Sequence, residues 1–231
     1  MNIILIHGMG RTPLSMLPLQ RRLKQRDHRV HLFGYSSTFQ SLARTTERLV
    51  QLIHSWGGTE PYALIGHSLG SVIIRNAYPQ LYGHEPVASF FLAPPMVVCK
   101  AARIFSTVWP LRILGGEMGS LLAREEFMQQ LAMPKNTKIY AGTAGPRADW
   151  WPLGHEPNDG VLSAEEASGS FREQVIEVPS IHTFIMNSAI VFDDIVSSLE
   201  DANTNDANNL RFAPIPNHAG SVDGIGTRPP I

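Results

Sequence analysis

Ser68 lies in the run Tyr62, Ala63, Leu64, Ile65, Gly66, His67, Ser68, Leu69, Gly70, Ser71, Val72, Ile73, Ile74, Arg75, where an apolar stretch meets a Gly-His-Ser-Leu-Gly turn and then an amphipathic helical pattern. A serine at a strained strand-to-helix apex draws together the residues two before and two after it. Both positions are glycine here, Gly66 and Gly70, and a β-carbon at either would collide with the backbone of the other. The serine oxygen would stand above the sheet edge. Behind it, the helix would offer its first free N–H groups and its positive dipole end to an oxyanion. Such a serine can attack a carbonyl, provided a base and an orienting acid reach it from neighbouring loops. G-x-S-x-G alone arises in many chains by chance; the strand before it and the helix after it give this copy its weight.

With those flanks, Gly66-His67-Ser68-Leu69-Gly70 resembles the nucleophile elbow of the α/β-hydrolases, in the lipase and esterase branch that reads Gly-His-Ser-x-Gly. The resemblance spans roughly residues 1–200 and is specific for fold and chemistry but not for substrate. It implies a reduced, mostly parallel six-stranded sheet with helices on both faces and a helical lid insertion. The reaction it implies is ester cleavage through an acyl-enzyme intermediate, with neither cofactor nor metal. Acyl transfer, thioester cleavage and amide cleavage would use the same residues, and a non-catalytic binding protein on this fold is the rival from another class. Two departures stand out: Gly70 is followed by Ser71 where many lipases have a second glycine, and the chain opens at what the family counts as its third strand.

The first strand ends in His7-Gly8-Met9-Gly10, and a His-Gly at that place is where lipase-like members carry half of their oxyanion hole. Met9 and Leu69 are the expected N–H donors, each worth roughly 3 kcal/mol of barrier. Of the nine histidines, His182 falls between the last expected strand and the final helix, and is the expected base. His67 is expected to point away from its neighbour Ser68, and His7 to act as a structural hydrogen-bonder. The chain order serine, acid, histidine confines the acid to the stretch between Ser71 and Ile181. Asp159, in Asn158-Asp159-Gly160-Val161-Leu162, is similar to the Asp-Gly-Val segment that carries the acid in bacterial lipases. Asp149 is the reserve candidate.

Composition narrows the remaining classes. A chain of 231 residues with 43% hydrophobic content and a formal charge of −1 suits one globular domain and gives no electrostatic reason to bind nucleic acid. Cys99 is the only cysteine, which excludes an intrachain disulfide and a cysteine-based metal site. The opening apolar run Asn2 to Ile6 is too short for a signal peptide, so the cytoplasm is the expected location. The expected partner is a small-molecule ester or lipid; oligomeric state is left open.

Short apolar runs alternate with helical patterns, as a parallel sheet covered on both faces requires. Strands are expected at Asn2–Ile6, Arg29–Phe33, Tyr62–Ile65, Val87–Leu92, Lys138–Ala141 and Gln174–Val178. Helices are expected at Ser15–Gln25, Ser41–Ser55, Leu69–Tyr78, within Val97–Leu131, at Ala164–Ser168 and at Thr183–Leu199. The segment 96–131 reads as a lid. Pro94-Pro95 breaks the chain out of the sheet, and Ala101, Ile104, Phe105, Val108 and Trp109 share a face opposite Lys100 and Arg103. That pattern predicts a cover over an apolar acyl pocket with transient contact to an anionic lipid surface. Residues 201–231, rich in Asn and Pro, read as a polar, disordered or loosely docked tail.

Overall fold

A computed structural model describes the backbone of residues 1–56, 60–100, 109–172 and 175–211, and the side chains of 1–56, 60–100, 116–172 and 175–202. Six strands, β1 (Asn2–Ile6), β2 (Arg29–Phe33), β3 (Tyr62–His67), β4 (Ala88–Leu92), β5 (Thr137–Gly142) and β6 (Val175–Val178), form one sheet in the order β2-β1-β3-β4-β5-β6. All five pairings are parallel. The central strands read as near-continuous apolar runs because both faces are covered, and β3 is buried along its whole length.

Side-chain alternation along the strands divides the core in two. Ile4, Ile6, Leu64 and Phe91 face the helices α2 (Leu42–Ser55) and α3 (Leu69–Ala77), meeting Leu49, Ile53, Val72 and Ile73. Ile3, Leu5, Ala63, Ile65 and Phe90 point the other way, onto Leu19 and Leu23 of α1 (Leu17–Lys24) and onto Val191, Ile195 and Leu199 of the C-terminal helix. Each such side chain contributes roughly 1.5–3 kcal/mol on burial. The sheet edge at the carboxyl ends of the strands is thereby left to the loops.

Several boundaries differ from the sequence reading. The first helix divides into a 3-10 turn, Pro13–Met16, and α1, because prolines stand in the first turn of both pieces. The last divides into a 3-10 turn, His182–Asn187, and a helix Ala189–Arg211, parted by the extended Ser188 (φ −60°, ψ 132°). That helix continues past Leu199, where the reading ended it, to Arg211, and 212–231 lie outside the described residues. The lid face at 101–108 and the side chain of Trp109 also lie outside them, as does Gln174.

What is described of the insertion is docked. It forms α4 (Trp109–Leu122), two helical pieces joined at a kink at Gly116, and α5 (Glu125–Gln130), and Met118, Leu122, Met128 and Leu131 belong to the core shared with α2 and α3. Gly116 takes φ 56°, and a β-carbon there would stand 2.7 Å from the Ser37 carbonyl oxygen, so only glycine lets α4 press this closely on the loop after β2. Arg75 of α3 is buried and donates from Nε to the Ala132 carbonyl at 3.2 Å and from Nη2 to those of Leu131 and Met128 at 2.9 and 3.4 Å. Burial lowers its pKa to about 10. Within the described residues, no helix is long and apolar enough to cross a membrane.

Candidate active site

Ser68 occupies the turn between β3 and α3 with φ 50° and ψ −117°, a conformation that costs a non-glycine residue of order 1–3 kcal/mol. The turn is braced by Ser68 N–H donating to the Leu92 carbonyl at 2.9 Å and by the Ser71 hydroxyl donating to the Ser68 carbonyl at 2.6 Å. Ser71, where many lipases have glycine, thus ties the first turn of the helix to the apex. A β-carbon on Gly66 would lie 2.7 Å from the backbone carbon of Gly70, the collision expected from the sequence. One on Gly70 would instead meet the Ile6 carbonyl oxygen at 2.3 Å. Gly70 is therefore set by the neighbouring strand rather than by Gly66.

Asp159 and His182 come together across two loops. His182 Nδ1–H donates to Asp159 Oδ2 at 2.6 Å, and the His182 N–H donates to the Asp159 carbonyl at 2.9 Å. The other carboxylate oxygen accepts from Val161 and Leu162 N–H at 2.8 and 2.7 Å. The Asp159 side chain is 1% exposed and that of His182 12% exposed, so the pair is shielded on the acid side. With Nδ1 as donor, the neutral ring keeps a lone pair on Nε2. The reserve acid Asp149 is elsewhere: its side chain is 99% exposed and pairs with His155 at 2.9 Å.

Asn158 sets the acid loop. Its Nδ2 donates to the carbonyls of Pro146 and Glu156 at 2.9 and 2.8 Å, and its Oδ1 accepts from Gly160 N–H at 2.9 Å. The Asn-Asp-Gly turn and the acid position are one structure. Glu166 then links this loop to the insertion, closing a capping box with Ser163 while its other oxygen accepts from Lys100 N–H at 2.7 Å.

Met9 lies between Gly8 and Gly10 on the loop after β1. Gly10 N–H is taken by Ser37 Oγ at 3.1 Å, and a β-carbon on Gly8 would stand 2.7 Å from His67 Nδ1 and 3.2 Å from Ser68 Cβ. That glycine allows the loop to lie against the His67 ring and the serine. Leu69 is the first residue of α3, so its N–H has no intrahelical acceptor. Ser68, His182 and Met9 all line one cavity of about 640 Å³.

Residues 3–185 match the profile of the alpha/beta hydrolase family. The chain belongs to that family. A Bacillus licheniformis lipase, BlEst2 in mature form, superposes with a TM-score of 0.60 at 16% identity, over 85% of this chain and 90% of that one. Tomato Methylketone Synthase I complexed with 2-tridecanone gives 0.56 at 13% identity, over 87% and 98%. The RedJ-Thioesterase of the Streptomyces coelicolor prodiginine pathway gives 0.55 at 15% identity, over 87% and 85%. No curated protein sequence matches this family member significantly.

His67, expected to point away from Ser68, is directed at the His182 loop: its Nε2–H donates to the His182 carbonyl at 2.9 Å, and the two ring centroids are 5.0 Å apart. Burial first, and the neighbouring His182 second, hold it well below the ordinary histidine range, so it is neutral and its Nδ1 is a buried lone pair without a partner. His7 is the structural residue expected, stacked on Tyr35 at 4.3 Å while the Tyr35 hydroxyl donates to the His7 carbonyl at 2.8 Å. Nothing local in the sequence marked His67, whose partner lies 115 positions away.

Proposed function

We propose that this family member is a serine hydrolase that cleaves carboxylic esters through an acyl-enzyme intermediate. His182 Nε2 takes the proton of Ser68, whose Oγ attacks the carbonyl carbon. The N–H groups of Met9 and Leu69 stabilise the oxyanion, and the imidazolium returns its proton to the departing alkoxide. Water, deprotonated by the same nitrogen, then releases the acid and restores Ser68. Asp159 fixes the tautomer throughout. One observation carries the reading: a 2.6 Å bond from His182 Nδ1 to a buried carboxylate, with His182 and the strained Ser68 lining the same cavity. Pro95, Cys99 and Leu122 line that cavity too, which supports an apolar acyl group with 96–131 as its cover.

Fluorophosphonate labelling followed by a series of p-nitrophenyl esters of rising chain length tests this. Ser68→Ala should abolish labelling and lower turnover about 10⁶-fold with the fold intact. A mutant that kept a tenth of the wild-type rate would remove Ser68 from the mechanism. A cover that moves should make activity rise with acyl length and change Trp109 fluorescence when anionic vesicles are added.

A further inference from the structure

Arg11 stands two residues beyond Met9 and lines the cavity that holds Ser68 and His182. Its Nη1–H donates to the carbonyl of Thr183, next to His182, at 3.4 Å, a long bond that leaves the other guanidinium donors available. Among the described residues no carboxylate is paired with it. The carboxylate of the site, Asp159, is buried and already engaged by His182, Val161 and Leu162. Apart from His182, Arg11 is the one ionisable side chain, cysteine and tyrosine aside, among the described residues that line the cavity. Burial first, with the charge of Arg11 as a lesser cause, lowers the pKa of both His7 and His67.

The sheet order places the charged and most of the hydroxyl groups of the cavity on one side. β1 and β2 lie on one side of β3 and Ser68, and their loops bring Arg11, Thr12, Ser36 and Ser37 together with Met9 and Tyr35; Gly10 N–H on Ser37 Oγ binds the two loops together. β4 and β5 lie on the other side, and the chain after them brings Pro95, Cys99, Val161 and Leu162. A substrate across Ser68 meets a guanidinium without a paired carboxylate among the described residues, and several hydroxyls, on the side that also carries Met9 and Tyr35, and meets Pro95, Cys99, Val161 and Leu162 on the other.

We infer that Arg11 receives an anionic group, a phosphate or carboxylate, on the alcohol or thiol half of the substrate, while an apolar acyl half runs along the opposite wall. Guanidinium matches either oxyanion with paired N–H donors. The inference rests on the hydrolase reading above and names its substrate class.

The test compares kcat/KM for octanoyl esters of glycerol, glycerol 3-phosphate and glycerate, with the glycerol monoester of octanedioic acid placing the charge on the acyl end. Wild type should favour at least one of the two esters charged on the alcohol half over the neutral one by roughly ten- to hundredfold, and salt should narrow the ratio. The preferred ester identifies phosphate or carboxylate. Arg11→Gln should bring that ratio toward one, the loss appearing mainly in KM; Arg11→Lys should retain part of it. A wild-type ratio near one, a preference surviving Arg11→Gln, or a preference for the octanedioic monoester would overturn the inference while Ser68 chemistry stands. If fluorophosphonate leaves Ser68 unlabelled and no ester is turned over, the hydrolase reading falls and takes the inference with it.

Discussion

The acid loop and the insertion are held by different physics. Around Asp159 the restraints are directional: Asn158 fixes the turn through Pro146, Glu156 and Gly160, and the carboxylate is aimed by Val161 and Leu162 before it meets His182. The insertion is held chiefly by burial of Met118, Leu122, Met128 and Leu131, with Arg75 beneath it and Glu166 bonded to the N–H groups of Met96 and Lys100. Hydrogen bonds fix position to tenths of an ångström, which proton transfer needs, whereas apolar burial is non-directional and fixes only proximity. The Asp159 loop and the segment packed beside it can therefore differ in their tolerance to substitution.

The sharpest test removes charge without changing shape. Asp159→Asn should lower kcat by about 10⁴ while leaving unfolding nearly unchanged, because the wrong tautomer of His182 is then favoured. Asp149→Asn, on an exposed pair, should change neither rate nor stability measurably. Reversal of that order in the kinetics would move the acid to Asp149.

A smaller effect is expected beneath the insertion. Arg75→Ala leaves three carbonyls without their donor and should cost roughly 3 kcal/mol in urea unfolding. A loss under about 1 kcal/mol would mean that packing alone seats the insertion. Gly116→Ala must bear a positive φ and a 2.7 Å approach to Ser37, for about 1–3 kcal/mol. Its thermal midpoint should fall, and faster fluorophosphonate labelling would follow if α4 lifts from the cavity.

The smallest effect is graded with pH. His67 has its pKa depressed in the folded chain, so the unfolded chain binds the extra proton below about pH 6.5. Stability should be flat above that value and decline as pH falls, with a slope of at most about 1.4 kcal/mol per unit from this residue. His67→Gln should flatten that decline in urea midpoints measured from pH 7 to 5. An equal slope in the variant would assign the decline to other groups.

Much of the frame was legible because it rests on local pattern. The six strands were found within a residue or two, since buried parallel strands are short apolar runs and their alternation with helical periods admits few arrangements. The final helix was missed at both ends for a local reason as well: Ser188 parts a 3-10 turn from the helix that follows, and the polar stretch beyond Glu200 carries little apolar periodicity to announce a helix.

By itself the sequence determined the strand-turn-helix around Ser68, because glycine at 66 and 70 records a backbone constraint that no other residue satisfies. It also marked Asn158-Asp159-Gly160 and His182 by their places between strands and helices. Only the tertiary structure decided that Gly70 answers to Ile6, that His67 supports the His182 loop, that Arg75 lies under the insertion and that Arg11 lines the same cavity as Ser68. Each of those is a contact between segments distant in sequence, fixed by the order of strands in the sheet, and a one-dimensional pattern holds no record of which loops that order makes neighbours.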